Sequence, residues 1–276
     1  MEHFCIISDG KKDIHYETAE EIKRYLESHG KCAKIVGGSS QIEEKAEIDM
    51  AIVLGGDGYV IQAAKKLAGE NVPILGVNFG TLGFLTEVEK PRIHQALDEI
   101  LANRYEVERC MALRCQKKES DRDVAESLAV NEFIIGKQDF GHMITAKVYV
   151  DDELLDTYVA DGILVSTPTG STAYNLSAAG PVLVPGMEAM IITPICPHSL
   201  NKRSLVVSSQ SKLRIQVGKT KENYQDEATV RGDGKVLWTV ASGDEVWIEK
   251  AEATFDMVRL GDVSFFDRMR SKLNRD

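Results

Sequence analysis

No two cysteines of this chain form a CxxC pair, no apolar run approaches the roughly eighteen residues needed to cross a bilayer, and basic residues are outnumbered by acidic ones. Each shortage excludes something. The five cysteines (Cys5, Cys32, Cys110, Cys115, Cys196) are odd in number and widely spaced, so reduced thiols are expected rather than a disulfide framework. The six histidines add no zinc-ligand spacing, which argues against a structural zinc. The opening MEHFCIISDGKKD is interrupted by charge too early for a signal peptide, and a cytoplasmic location is expected. With 33 Lys and Arg against 43 Asp and Glu the net charge is -10, which speaks against nucleic acid or a membrane surface as partner, since both recruit excess positive charge. Repeats, low-complexity tracts and long Pro/Gly/Ser linkers are missing too.

What is present is an ordinary globular composition, 43% hydrophobic and 28% charged over 276 residues, enough for one large or two modest domains. The first hundred residues alternate short apolar runs with helical patterns. Strands are expected at His3 to Ser8, Lys31 to Val36, Met50 to Leu54 and Pro73 to Asn78, and helices at Ile14 to His29, Tyr59 to Leu67 and Pro91 to Asn103. That alternation predicts a Rossmann-like α/β domain with an open parallel sheet over residues 1–108. Ligands of such sheets sit at the carboxyl ends of the strands.

Beyond Arg109 the texture turns to short β segments. They are Ser127 to Ile135, Ile144 to Val150, Leu154 to Tyr158, Ile163 to Ser166, Leu213 to Val217, Ala228 to Arg231, Val236 to Val240 and Glu245 to Glu249. An all-β domain over 109–260 is expected, with hairpin turns at Asp151-Asp152 and Gly232-Asp233-Gly234. The tail, 261–276, carries a helical pattern from Phe265 to Leu273 that would pack back on the first domain.

The densest chemical signal is Gly55-Gly56-Asp57-Gly58, directly after the apolar run Met50 to Leu54 and before a helix. A glycine turn at a helix start brings backbone N–H groups to an anion, and the helix dipole adds positive potential. An Asp inside a phosphate cradle repels phosphate. It therefore needs another reason, as a base for a hydroxyl or a holder of a divalent cation, and both point to phosphoryl transfer. The bland reading makes Asp57 a helix N-cap in a tight βα connection.

A second signal is Asp161 to Pro181, DGILVSTPTGSTAYNLSAAGP, a strand leading into a hydroxyl- and glycine-rich turn with a helix start at Ala173. Ser171, Thr172, Tyr174 and Ser177 offer hydroxyls that a core segment has little use for. Asn131 and Glu132 combine a donor with acceptors, suited to an amide or adenine edge plus a ribose hydroxyl, or else they close a β turn. Gly232-Asp233-Gly234 repeats the GDG letters but reads as a hairpin turn, and His198 reads as a structural histidine.

Taken together, GGDG at 55–58, GTLGFLTE at Gly80 to Glu87, Asn131-Glu132, the run Asp161 to Pro181 and TPICPHSL at Thr193 to Leu200 make the chain resemble the NAD kinases over nearly its whole length. That family phosphorylates the 2′-hydroxyl of NAD's adenosine ribose to give NADP. The resemblance implies Asp57 as proton acceptor, Gly58 beside it at the nucleotide, and Gly55, Gly56 and Gly58 as the phosphate-donor loop. It implies that Asn131, Glu132, Asp161, Thr172, Ala173, Tyr174 and Ser177 hold NAD, with the Tyr174 ring available for stacking. It also implies ATP or polyphosphate as donor, a divalent metal such as Mg2+ with no assigned protein ligands, and a homodimer or homotetramer in which a neighbouring subunit completes the NAD site. NAD is expected in the crevice between the two domains.

Two positions depart from the family pattern. Tyr59 stands where Thr normally follows GGDG, on the phosphate-donor side, and Val159 stands where a basic residue normally precedes the DG, on the NAD side. Two alternatives accompany the reading. One is a GGDG-type lipid kinase acting on a diacylglycerol-like alcohol, although those enzymes are not expected to carry PTGSTAY. The other is a non-catalytic dinucleotide sensor.

Overall fold

A computed structural model of the chain describes residues 1–8, 10, 12–39, 42, 47–80, 83–119, 122–138, 142–219 and 227–273. The chain divides into two compact units, Met1–Cys110 with Thr254–Asp276, and Met111–Ala253.

The first unit is the βα alternation expected from the sequence. Its elements are β1 (His3–Ile7), α1 (Glu17–Ser28), β2 (Cys32–Val36), β3 (Met50–Leu54), α2 (Asp57–Leu67), β4 (Pro73–Asn78), β5 (Val88–Glu89) and α3 (Ile93–Leu101). The strands are parallel in the order β2-β1-β3-β4, and β5 joins the carboxyl end of β4 through Val77 and Val88. Every residue of β3 is buried, as a strand covered on both faces requires. The helices bury Ala19, Ile22 and Leu26 on α1, Val60, Ala63, Ala64 and Leu67 on α2, and Ile93, Ala96, Leu97 and Ile100 on α3, all at helical spacing. Ile22 and Leu26 are fully buried, and each contributes about 1.5 to 3 kcal/mol. Truncating Ile22 to Ala would cost about 2 to 5 kcal/mol.

Helix α1 begins at Glu17, three residues later than the expected Ile14. His15 and Tyr16 stand at φ 56° and 57°, left-handed values that interrupt the helix, and the buried Asp13 carboxylate accepts the N–H groups of Thr18 and Ala19 at 2.8 and 3.0 Å. Asp13 thus caps the helix from outside it.

The second unit contains β6 (Glu106–Glu119), whose first residues lie in the first unit, then β7 (Arg122–Ala129), β8 (Glu132–Lys137), β9 (Ile144–Val150), β10 (Glu153–Ala160) and β11 (Gly162–Ser166). It continues through a one-turn α4 (Tyr174–Ser177), β12 (Ala189–Ile195), β13 (Leu205–Ser208), β14 (Leu213–Val217), β15 (Glu227–Gly232), β16 (Lys235–Ala241) and β17 (Glu245–Arg259). One antiparallel sheet runs β10-β9-β14-β17 with β6 and β7 alongside, and the other runs β13-β12-β11-β8-β15-β16. Their apolar faces share one core, with Ala146, Val148, Leu213, Ile215 and Ile248 from the first and Phe133, Ile163, Val165, Ile192 and Val230 from the second. Both expected hairpin turns form, with positive φ at Asp151 and Asp152 and at Asp233 and Gly234, the geometry of two-residue type I′ turns.

Three features differ from expectation. The segment Ser127 to Ile135 is two strands, broken at Val130-Asn131, because the N–H groups of both residues donate to the Asp233 carboxylate at 3.0 and 2.8 Å instead of to a strand. Strand β17 runs ten residues past Glu249 and pairs Asp256 and Met257 with Pro73 and Ile74, so 254–260 belong to the first unit rather than to the β-rich one. Strands β5, β6, β12 and β13 add to the expected set. The tail forms α5 (Phe265–Leu273), opened by a reciprocal cap in which Asp267 N–H donates to Ser264 Oγ and Ser264 N–H to the Asp267 carboxylate, and it belongs to the first unit.

Candidate active site

In the first unit the chemistry gathers at the carboxyl ends of β3 and β4. Gly55 leaves β3 and donates its N–H to Val77 O at 2.9 Å, which ties the glycine turn to β4. Gly56 is the N-cap of α2, so Asp57 is the first helical residue, and the helix starts two residues before the expected Tyr59. The Asp57 carboxylate does not cap its own helix. It accepts N–H groups from Phe84 at 2.9 Å, and from Leu85 and Thr86 at 3.2 Å each, in the turn that follows β4. Only a glycine fits opposite, since a Cβ on Gly83 would lie 1.9 Å from Asp57 Oδ1.

This anchoring has a chemical consequence. A carboxylate offers about four acceptor positions, and among the described residues Oδ1 takes two N–H groups while Oδ2 takes one. Among the described residues Oδ2 thus keeps unused acceptor capacity, on a carboxylate that three N–H groups orient. Gly58 is exposed in the same turn, and the Tyr59 ring lies over Gly55, so close that a Cβ there would meet Tyr59 Cδ2 at 2.5 Å. Lys12 brings its ammonium to within 3.8 Å of the point a Gly56 Cβ would occupy. The only trace of Lys12 in the sequence is the basic pair after β1. Thr81 and Leu82 of GTLGFLTE lie outside the described residues.

In the second unit Asn131 and Glu132 stand at the break between β7 and β8, 7% and 5% exposed. Asn131 Oδ1 and Glu132 Oε2 are buried without a partner among the described residues. Such orphaned acceptors are uncommon and costly unless a ligand meets them. Burial, and secondarily the negative Asp233, push the Glu132 carboxyl up to about 7. The turn after β11 packs directly on this pair. Thr167 N–H donates to Asn131 O at 2.9 Å, Thr167 Oγ1 donates to Val130 O at 2.7 Å, and a Cβ on Gly170 would fall 2.2 Å from Asn131 O.

The hydroxyls of that turn divide into two groups. Ser171 is buried and its hydroxyl is spent on Pro168 O and Leu183, and Thr172 Oγ1 donates to Thr169 O at 3.2 Å. Tyr174 and Ser177 are exposed. Ala173, at φ -98° and ψ -130°, turns the chain into α4. Asn175 fixes the turn from within, donating to Ser171 O and Pro181 O and accepting from Thr193 Oγ1 at 2.7 Å. Thr193 is thus the part of TPICPHSL that reaches the turn.

Asp161 is placed apart from these groups. In the β8 and β11 ladder Ser166 pairs with Glu132 and Gly162 with Gly136, so Asp161 lies at the opposite end from Glu132, roughly 17 Å along the strands. There it pairs with Lys137 at 2.7 Å, a basic residue from β8. Val159 is exposed on β10.

Comparison with known proteins shows the family. The model of the ATP-NAD kinase N-terminal domain matches residues 18–105 and that of the ATP-NAD kinase C-terminal domain matches residues 130–260. The chain belongs to the NAD kinase family. An NAD kinase of Lachnoclostridium phytofermentans is 37% identical over 99% of both chains, and one of Carboxydothermus hydrogenoformans is 39% identical over 91% of this chain and 87% of its own. Among solved structures, an Archaeoglobus fulgidus NAD kinase in complex with ATP superposes with a TM-score of 0.78 at 27% identity, covering 98% of each chain. The yeast NADH kinase complexed with NADH shares the fold, with a TM-score of 0.84 at 23% identity over 100% of this chain and 89% of that one. The activity is therefore that of a phosphotransferase converting NAD to NADP, and the lipid-kinase alternative is set aside.

Within an NAD kinase, the residue most underrated by its sequence is Asp233. It does sit in a hairpin turn, but its carboxylate also holds the backbone of Val130 and Asn131, and its own N–H donates to Glu132 O at 3.1 Å. The GDG letters alone do not distinguish that duty from an ordinary turn. Among the described residues no three His, Cys, Asp or Glu side chains come together in a way that could hold a metal ion, and no helix is long and apolar enough to cross a membrane.

Proposed function

We propose that Asp57 takes the proton from the adenosine 2′-hydroxyl of NAD, with Gly55, Gly56 and Gly58 receiving the phosphates of the donor. NAD is held by Asn131, Glu132, Asp161, Thr172, Ala173, Tyr174 and Ser177, and Asp57 and Gly58 touch it at the reacting ribose. The donor is ATP, in keeping with the family's description and with the ATP complex of the Archaeoglobus relative, and polyphosphate is the alternative donor to test. The enzyme works in the cytoplasm as a homodimer or homotetramer.

In the reaction the 2′-oxygen forms its bond to the donor's terminal phosphorus as the bond to the bridging oxygen breaks and the nucleoside diphosphate leaves with that electron pair. The transition state is loose, so the hydroxyl proton passes late to the open position on Asp57 Oδ2. A divalent ion such as Mg2+ would supply neutralisation of the donor's charge. The chain's own part is to orient the hydroxyl and receive its proton.

The observation that carries the NAD assignment is the pair of buried, unpartnered oxygens, Asn131 Oδ1 and Glu132 Oε2. A ligand presenting an amide, amine or hydroxyl there satisfies groups that otherwise cost about 1 to 3 kcal/mol each. Calorimetry of NAD binding tests it. Asn131→Ala and Glu132→Ala are expected to weaken NAD binding roughly 5- to 150-fold while donor KM stays near that of the wild type. An unchanged NAD Kd in a folded double variant would remove these residues from the NAD site.

A further inference from the structure

The turn that anchors Asp57 is itself held from the other side, by an arginine of the C-terminal helix. Arg268 is 5% exposed and is separated in sequence from that turn by about 180 residues. Its Nη1 donates to Gly83 O at 3.4 Å and to Thr86 O, and its Nη2 pairs with the carboxylate of Glu87. The N–H groups of the same turn, at Phe84, Leu85 and Thr86, point to Asp57. Arginine therefore takes the carbonyls and Asp57 takes the amides of one short stretch of backbone.

We propose that Arg268 is a positioning residue for Asp57, acting through the peptide groups of residues 83–86. This rests on the reading of Asp57 as the proton acceptor. The coupling runs through a particular bond, because Gly83 C=O and Phe84 N–H belong to one peptide unit. A cation bonded to the oxygen polarises that unit and strengthens the hydrogen bond its N–H makes to Asp57 Oδ2. The Thr86 carbonyl, also taken by Arg268, belongs to the peptide unit whose N–H, on Glu87, donates to Gly76 O of β4 at 2.8 Å. The turn is thereby fastened to the sheet.

Glu87 completes the arrangement. Its carboxylate is buried, pairs with both Arg268 and Arg259, the latter at 3.2 Å, and accepts Leu260 N–H at 3.0 Å. Arg259 also bonds the Glu108 carboxylate at 2.7 Å. Burial, together with the like charge of Arg259, pulls the Arg268 guanidinium below its usual range, opposed mainly by Glu87 and least by Asp57. Nothing in the helical pattern of Phe265 to Leu273 announces this, since Arg268 occupies the inward face where an apolar residue is the rule.

The test uses the full-length enzyme with NAD, ATP and magnesium, comparing Arg268→Lys, Arg268→Ala, Asp57→Asn and the Asp57→Asn/Arg268→Ala double variant. A misplacement of the base by about 1 Å is expected to lower kcat on the order of 10²-fold, with the NAD Kd from calorimetry unchanged within about 2-fold. Guanidinium ion added to Arg268→Ala is expected to restore part of kcat, and the double variant is expected to be no slower than Asp57→Asn alone. Should Arg268→Ala fail to fold, Arg268→Lys carries the test, because a lysine keeps the charge but not the fork that reaches two carbonyls and a carboxylate. Wild-type kcat in folded Arg268→Lys, or multiplicative losses in the double variant, would overturn the positioning role while leaving Asp57 as base. Wild-type kcat in Asp57→Asn would overturn the reading of the base itself.

Discussion

Replacing Glu132 with Gln exchanges a buried, titrating carboxyl for a nearly isosteric group that stays neutral at every pH, and the structure fixes the sign of the outcome. The carboxyl is pushed up from 4.5 to about 7 by burial and then by Asp233. Between these values the folded protein keeps the proton while the unfolded chain has released it. The folded state therefore binds more protons, and the contribution of Glu132 to stability, fully present below about 4.5, is lost as pH rises through 7. At about 1.4 kcal/mol per unit, the shift corresponds to an upper limit of about 3 kcal/mol. Urea unfolding of wild type and Glu132→Gln at intervals from pH 4.5 to 8 isolates this group, because the other carboxylates cancel in the difference. Glu132→Gln is expected to gain stability relative to wild type across this window and to level off above it. Adding Asp233→Asn, which an αL turn position tolerates, should shrink the gain and move its midpoint down. A difference that does not change with pH would mean that Glu132 is ionised in the folded protein, and the account of its buried, unpartnered oxygen would fall.

Gly83→Ala places a methyl where Asp57 Oδ1 now lies, 1.9 Å from the ideal Cβ, and is expected to lower kcat about 10²-fold with the NAD Kd preserved, as read from kinetics and calorimetry. Tyr59→Thr removes the ring that covers Gly55 and is expected to alter the donor KM by the scale of one hydrogen bond, about 0.5 to 1.5 kcal/mol, while the NAD KM stays put. Movement of the NAD term alone would shift Tyr59 to the acceptor side. Lys137→Met leaves Asp161 without its ion pair at 2.7 Å and is expected to change NAD affinity without touching donor KM, measured by calorimetry.

The βα half of the fold was legible because its strands are buried on both faces and its helices repeat apolar residues at helical spacing, as Met50–Leu54 and the inward row of α3 illustrate. Strand β12 is hard to read in the sequence because Pro194, which lacks an N–H, speaks against a strand inside a sheet, yet it pairs in register with Ile163 and the strand is buried throughout. The break at Val130-Asn131 could not be read locally, because a side chain about a hundred residues away takes both N–H groups. The candidate site divides in the same way. Asp57 declares itself within four letters, and Asn131-Glu132 within two once the resemblance is seen. Their supports do not, because the amides of 84–86, the carboxylate of Asp233 and the guanidinium of Arg268 reach the site only through tertiary structure. The separation of Asp161 from Glu132 follows from strand register, which motif spacing does not carry.

If Asp57 accepts the proton of the ribose hydroxyl, Asp57→Asn removes that acceptor and little else. Asn keeps the size of the side chain and one carbonyl oxygen for the amides of 84–86, so the turn retains a partner while the proton acceptor is gone. Single-turnover NADP formation should fall by about 10²- to 10⁴-fold, the usual contribution of a general base, with the NAD Kd within a few-fold of wild type. Wild-type turnover in Asp57→Asn would contradict the account and transfer the search for the base to Glu132 or Asp161.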